Sequence, residues 1–392
     1  MKNYIKFYFI VCCTVLFSCK DKRNTEVIFG NTETVSLDMK DKSQSIEITD
    51  LADSVRYVKL ETTDESMIGE ITQVIFHDGL FYIKDTKTAS VLVFDKTGKY
   101  KFNISKKGRG PGEYVEITRM MIDRKNGQII LYDIHTRKIV YYTLTGKFVK
   151  EIRSFSENAT IRDIILLPDG GFLCYDPYND GKGFKPDMKY WGVWKVDSLG
   201  KYDKHVWSTA NTYPAQFHWE ALYFYELADN KIGLWCADID DIFHFSNDTI
   251  IYRLSTKINQ PTGSDFPGQA LGDIPQNITI RTDIFESDNF IYTQWWDKSK
   301  NYADIVTLYF KKEKKSLVTS GIRHPKDCGF LNGRLVSFNH TDQMLQVISG
   351  YDASSMLDAK DYLGDNDKAL LKSLFSNPEE DNPVLAILYL KK

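Results

Sequence analysis

Phe81-Tyr82-Ile83-Lys84-Asp85 recurs 48 residues later as Ile129-Ile130-Leu131-Tyr132-Asp133. The same offset relates Val91-Leu92-Val93-Phe94 to Ile139-Val140-Tyr141-Tyr142, and Thr97-Gly98-Lys99-Tyr100 to Thr145-Gly146-Lys147-Phe148, without a gap. Each unit reads as a strand, an Asp-led turn, a second strand, a Gly-Lys hairpin and a third strand. Gly98 and Gly146 supply the positive φ that such tight hairpins demand. A fixed period of this length is the mark of a repeat architecture.

Looser copies follow the same order. Residues 161–167, 172–175 and 191–196 with the turn at 197–201 make a third unit. Residues 222–226, 231–236, 242–245 and 249–254 make a fourth, and 278–285, 290–296, 305–310 and 316–320 a fifth. Residues 327–330 with 334–339 begin a sixth. The spacing averages roughly 46 residues, the period of a four-stranded propeller blade. A ring must hide its edge strands, and the chain ends offer the pieces: residues 45–48 and 55–60 before the first unit, and the apolar run 383–390 at the end. The expected fold is therefore all-β: a six-bladed β-propeller over residues 44–392, closed by N- and C-terminal strands. One short helix is expected at 367–375, with Asp365 or Asn366 as its N-cap. A seven-bladed ring or two stacked β-domains are the rival arrangements.

The first residues read as an export signal. Lys2 and Lys6 precede an apolar run from Phe7 to Phe17, shorter than the ~20 residues that span a bilayer and suited to a signal-peptide core. Leu16-Phe17-Ser18-Cys19 then meets the polar Lys20-Asp21-Lys22-Arg23. This resembles the lipobox of bacterial lipoproteins, which implies removal of residues 1–18 and lipid on Cys19. More than one acyl chain there would hold the protein firmly. Residues 19–43 are polar and read as a flexible tether of roughly 25–30 Å root-mean-square span.

Composition narrows the function. A net charge of −3 with no basic stripe gives no case for nucleic acid. Cys174, Cys236 and Cys328 sit in apolar contexts and read as buried small hydrophobes rather than a disulfide framework. The chain carries 23 Tyr, 23 Phe and 7 Trp, enough to line a binding mouth as well as blade cores. Trp191, Trp194, Trp219 and Trp235 alternate within strands and read as core. Trp295 and Trp296 are adjacent, so one of them must leave the core.

Two further stretches suggest chemistry. Lys106-Lys107-Gly108-Arg109-Gly110-Pro111-Gly112-Glu113-Tyr114 has the backbone freedom and charge to cradle a carboxylate or phosphate. Its spacing is neither a dinucleotide fingerprint nor a P-loop; the competing reading is an inter-blade crossover whose Arg109 and Glu113 pair with neighbouring blades. Asp238-Ile239-Asp240-Asp241 with His244 lacks the Gly and closing Glu of a calcium loop. No metal site, cofactor or catalytic constellation is expected.

Several stretches together resemble a known family: residues 60–71 (LETTDESMIGEI), 94–99 (FDKTGK), the 106–114 loop and 381–385 (DNPVL). They are similar to the six-bladed β-propeller lipoproteins of Bacteroides-type bacteria, distantly like NHL-repeat propellers. The resemblance is close over residues 45–150 and returns at the C-terminus. It implies a lipid-anchored protein of the cell envelope, on the outer membrane, and leaves the membrane face open. Asp53-Ser54-Val55, Asp197-Ser198-Leu199 and Asp248-Thr249-Ile250 also resemble the short O-glycosylation motif of such bacteria. The expected function is non-enzymatic capture of a glycan or peptide, or docking to an outer-membrane protein partner, with Lys106, Lys107, Arg109, Glu113, Tyr114, Trp295 and Trp296 as candidate contacts. The alternative is a hydrolase or lyase acting on glycans or peptides at the central mouth.

Overall fold

The structure, a computed structural model, describes residues 31–40, 45–153, 161–176, 192–207, 222–236, 239–266, 273–330, 334–359 and 362–392. The first repeat forms an antiparallel blade, Ile71–His77, Leu80–Asp85, Ser90–Asp95 and Tyr100–Ile104, counted from the axis outward. The second copies it with Arg119–Asp123, Gln128–Asp133, Lys138–Thr143 and Phe148–Ile152. Blades 3, 4 and 5 begin at the axis with Asp163–Leu166, Phe224–Glu226 and Thr279–Glu286. The ring is a six-bladed β-propeller.

Blade 6 takes strands from both chain ends. Its order is Arg334–Leu335, Gln343–Ile348, Val384–Leu390 and Ala52–Lys59. The terminal strands pair over the whole span from Val384 opposite Lys59 to Leu390 opposite Ala52. A second stitch lies at the axis, where Ser337–Phe338 pairs parallel with Gln73 and Val74 of blade 1.

The middle strands are apolar on both faces because both faces are covered. Along Ser90–Asp95, Val91 and Val93 pack with Ile129, Leu131 and Val140 of blade 2. Leu92 and Phe94 point the other way and pack with Leu345, Leu385 and Ile387 of blade 6. Such shared clusters recur around the ring, between blades 2 and 3, 3 and 4, 4 and 5, and 5 and 6. The period-2 geometry of a strand thus builds two interfaces from one sequence run.

The Asp-led turns have one mechanism. Asp85 accepts hydrogen bonds from the backbone amides of Gly69, Glu70 and Lys87 and from the Thr88 hydroxyl. Asp133, its repeat mate, accepts from the amides of Val115 and His135 and from the Thr136 hydroxyl. Each carboxylate folds its own turn and ties down the chain entering the same blade. The outer hairpins repeat as well: Gly98, Gly146 and Gly200 all adopt positive φ.

Four features depart from the sequence reading. Thr32–Leu37, inside the stretch read as tether, is a strand that adds parallel to the outer strand of blade 4 and buries Val35, Leu37 and Met39. Two C-terminal helices are present, Gly350–Asp358 and Asp365–Leu374. The second starts two residues before the expected bound and is preceded by Gly364; the amides of Asn366 and Asp367 donate to Asp327, a side chain distant in sequence. Residues 327–330, read as the start of the sixth unit, form this capping loop instead of a strand. Cys174 is buried as expected, but Cys328, in the same loop, is exposed.

Candidate ligand-binding site

The inner strands surround an axial cavity with two lobes that share Glu226 and His340. The first, about 680 Å³, lies among the inner turns of blades 2, 3 and 4. Several of its polar groups are engaged within the protein. Arg124 pairs with Glu226 at 2.9 Å, Asp123 accepts from both nitrogens of Asn126, and Asp169 pairs with Lys195 at 2.6 Å.

The second lobe, about 630 Å³, lies between blades 1, 4, 5 and 6. Glu70 and Thr72 reach it from blade 1, Tyr225 and Trp235 from blade 4, Asp283, Gln294, Trp296 and Asp304 from blade 5, and Arg334, Phe338 and His340 from the sixth. Two inner strands skip a residue here: Thr72 falls in a register shift between Ile71 and Gln73, and Thr282 in one between Arg281 and Asp283. A bulge re-aims side chains, and it allows the consecutive Thr282, Asp283 and Ile284 all to line the cavity.

The electrostatics of this lobe are uneven. Arg334 donates to Glu70 at 2.7 Å, Gln294 donates to Asp304 at 3.0 Å, and the Trp235 indole donates to the Leu222 carbonyl at 3.0 Å. Glu286 is enclosed by Tyr225, His244 and Lys311; burial pushes its carboxyl up, but His244 and Lys311 outweigh this and hold it down at about 2. Among the described residues Asp283 has only the Ile284 amide as a hydrogen-bond donor, and burial pushes its carboxyl up to about 7 despite the pull of Arg334. Burial lowers His340 below the usual imidazole value, so the ring is neutral at pH 7. Arg334 is the charge acting on Asp283, whereas Asp342, Arg124 and Glu226 act on His340. The two perturbed groups are therefore not a coupled acid–base pair.

The residues singled out by sequence fall in separate places. Trp295 is buried, its indole donating to the Thr293 hydroxyl and its ring lying 4.6 Å from the Arg281 guanidinium carbon. Trp296 turns outward, lines the second lobe and meets Tyr302 edge-on. Trp194 is buried in the blade 2–3 cluster. The 106–114 loop is the crossover from blade 1 to blade 2 and lines neither lobe. Tyr114 is fully buried and donates to the Ile104 carbonyl. The Gly110 amide donates to Glu113 and the Gly112 amide to Glu151, while Lys138 donates to the Gly110 carbonyl. Carboxylates of the chain itself thus occupy those amides, and Lys106, Lys107 and Arg109 project to solvent. Asp241 pairs with Arg253, Asp240 accepts from Thr262, and His244 meets Glu286; among the described residues no cluster could hold a metal. Cys19, Trp191, Trp219 and Asp238 lie outside the described residues.

Asp283, Thr72, His340, Glu70 and Arg334 were not singled out by the sequence reading. The strand that carries Asp283, Thr279–Glu286 (TIRTDIFE), is polar at five of its eight positions, so nothing in it sets Asp283 apart. The others meet it only because the ring closes.

A closed six-bladed ring with an open, polar-lined axial lobe defines the class of protein. Within that class the chain belongs to the DUF4934 family, a domain of unknown function that matches residues 32–389. Among solved structures it is similar to a Bacteroides fragilis protein described as exported, at 19% identity and a TM-score of 0.69, covering 92% of this chain and 100% of that one. It is also similar to a Bacteroides vulgatus member of the DUF4221 family, at 9% identity and a TM-score of 0.50, covering 87% and 97%. A search of curated proteins found no match.

Proposed function

We propose that this chain is an exported lipoprotein, anchored in the outer membrane through Cys19, whose propeller captures a glycan or peptide ligand in the lobe between blades 1, 4, 5 and 6. The observation that carries this reading is the lobe itself: Trp296, Trp235 and Phe338 beside polar groups that lack partners among the described residues. Apolar walls with a few convergent polar groups are the usual make-up of a small-ligand site. Aromatic side chains give contact area at low entropic cost. The sequence of residues 1–24 supports the anchor, and the fold-level likeness to a protein described as exported agrees with it.

A glycan array followed by calorimetry tests capture. A hit should be weakened at least tenfold by Trp296→Ala and left unchanged by Arg109→Ala, since Arg109 lies away from the lobe. Cys19→Ser should move the protein from the membrane fraction to the soluble one. One observation favours a second reading: a carboxyl near 7, as on Asp283, suits general acid–base chemistry in a hydrolase or lyase. Product release from a bound glycan or peptide, abolished by Asp283→Asn, would establish that reading over simple capture.

A further inference from the structure

We propose that the lobe between blades 1, 4, 5 and 6 recognises its ligand through a cationic ammonium group, held between the Trp296 ring and the carboxylates of Asp283 and Asp304. This inference rests on the reading of that lobe as the capture site.

The wall holds buried polar atoms that can accept a hydrogen bond and have no partner among the described residues. Several of its donors are already engaged: Arg334 with Glu70, Gln294 with Asp304, the Trp235 indole with the Leu222 carbonyl, and the Tyr225 hydroxyl with Glu286. His340 Nε2 is buried and has no partner among the described residues, while Nδ1 lies 3.6 Å from Asp342; in the neutral tautomer with its proton on Nδ1, Nε2 accepts. Thr72 Oγ1, on a residue only 7% exposed, is buried without a partner among the described residues and can accept through its lone pairs, and the bulge carries this side chain to the cavity. An ammonium brings three donors and no acceptor, which matches such a wall.

The charges give the same sign independently. Glu70 is answered by Arg334, Glu226 by Arg124, and Glu286 by His244 and Lys311. Among the described residues Asp283 and Asp304 have no ion-pair partner, although both line the lobe. The raised carboxyl of Asp283 agrees with a charge awaiting its counterion, and the neutral His340 does not repel a cation. Geometry adds the aromatic face. Trp296 and Asp304 are direct cross-strand partners, and Asp283 stands opposite Gln294, two residues before Trp296 on the same face. Trp is the best ring for a cation, and here carboxylates flank it.

The test is calorimetry on the detergent-solubilised full chain at pH 7 with two pairs of probes. One pair is a glucosamine tetramer and its N-acetylated form; the other is a lysine tetrapeptide and the same peptide with every amine acetylated. The free-amine member of one pair should bind at least tenfold tighter than its acetylated partner, and the pair that responds tells an amino sugar from a peptide source. Asp283→Asn and Asp304→Asn should each weaken the amine at least fivefold without changing the circular dichroism spectrum. An acetylated probe that binds as well as its free amine overturns the ammonium assignment and leaves capture standing. Absence of binding by all four probes overturns the inference, and the glycan array then decides capture separately.

Discussion

The inner strands of blades 2 and 3 and those of blades 5 and 6 lie at the same radius of one ring, yet they treat polar groups in opposite ways. In blades 2 and 3 the polar side chains are joined. Arg119 and Asp163, both buried, pair at 3.1 Å; Arg119 also donates to the Phe224 carbonyl, and Asp163 accepts from the amides of Ile164, Tyr223 and Phe224. Blades 2, 3 and 4 are thereby locked at the axis. In blades 5 and 6, and on the rim that blade 1 shares with them, Asp283, His340 and Thr72 face a cavity and lack such locks. The difference teaches that the repeat secures the ring on one side and is relaxed on the other, where room is left for a ligand.

The largest expected effect comes from opening the locked side. Asp163→Ala strands the Arg119 charge and two amides of blade 4 in a buried setting, and loss of one partner from such a pair costs about 3–5 kcal/mol. The thermal midpoint should fall steeply. Asp304→Asn, on the open side, should leave it nearly unchanged. Equal losses from the two variants would show that the halves are not built differently.

A middle-sized effect separates two positions that the repeat makes identical. Gly98 and Gly146 both adopt positive φ, at 88° and 81°, which costs an L-residue roughly 1–2 kcal/mol. Their surroundings differ. A Cβ at Gly98 would meet the Lys59 carbonyl oxygen at 2.0 Å, on the strand that closes the ring; at Gly146 it would meet the Phe102 side chain at 3.1 Å. Gly98→Ala should therefore lower the thermal midpoint more than Gly146→Ala, since backbone at the closing seam yields less than an aromatic ring. Equal shifts would mean that the seam is no tighter than an ordinary blade contact.

The same contrast explains what the sequence reveals. Blades 1 and 2 are readable because their apolar runs, Asp-led turns and glycines repeat without a gap. The closure is readable because 383–390 is too apolar for a free end. Thr32–Leu37 escapes because it pairs with residues far along the chain and offers only Val35, Leu37 and Met39 amid polar neighbours. The helix Gly350–Asp358 buries little beyond Ala353 and Met356, though the capping box of Ser349 and Asp352 was a usable sign. In the lobe only Trp296 was anticipated, through its adjacency to Trp295. A bulge leaves no trace in a sequence, so the skipped residues that carry Thr72 and Asp283 to the cavity come to light only with the strand register.

The smallest effect is the most informative about the open side. The Asp283 carboxyl sits at about 7 in the folded chain, against about 3.9 when unfolded. The folded state thus holds this proton more tightly than the unfolded state does. That contribution to stability is complete below pH ~4 and is lost as pH rises towards and through 7. Arg334, with Glu70 beside it, is the facing cation, and the side chain is partly open to the cavity, so the effect is tempered by solvent. Asp283→Asn cannot ionise and should raise the thermal midpoint at pH 8 relative to the parent, with little difference at pH 4. Pairing by an ammonium ligand should give the parent the same gain at pH 8 and give the variant none. A parent whose stability rises between pH 5 and 8 on account of this residue would instead mean that Asp283 is already compensated and that the open side is as settled as the locked one. A residue that weakens its own fold at the pH where it would bind is better explained by its ligand than by its neighbours.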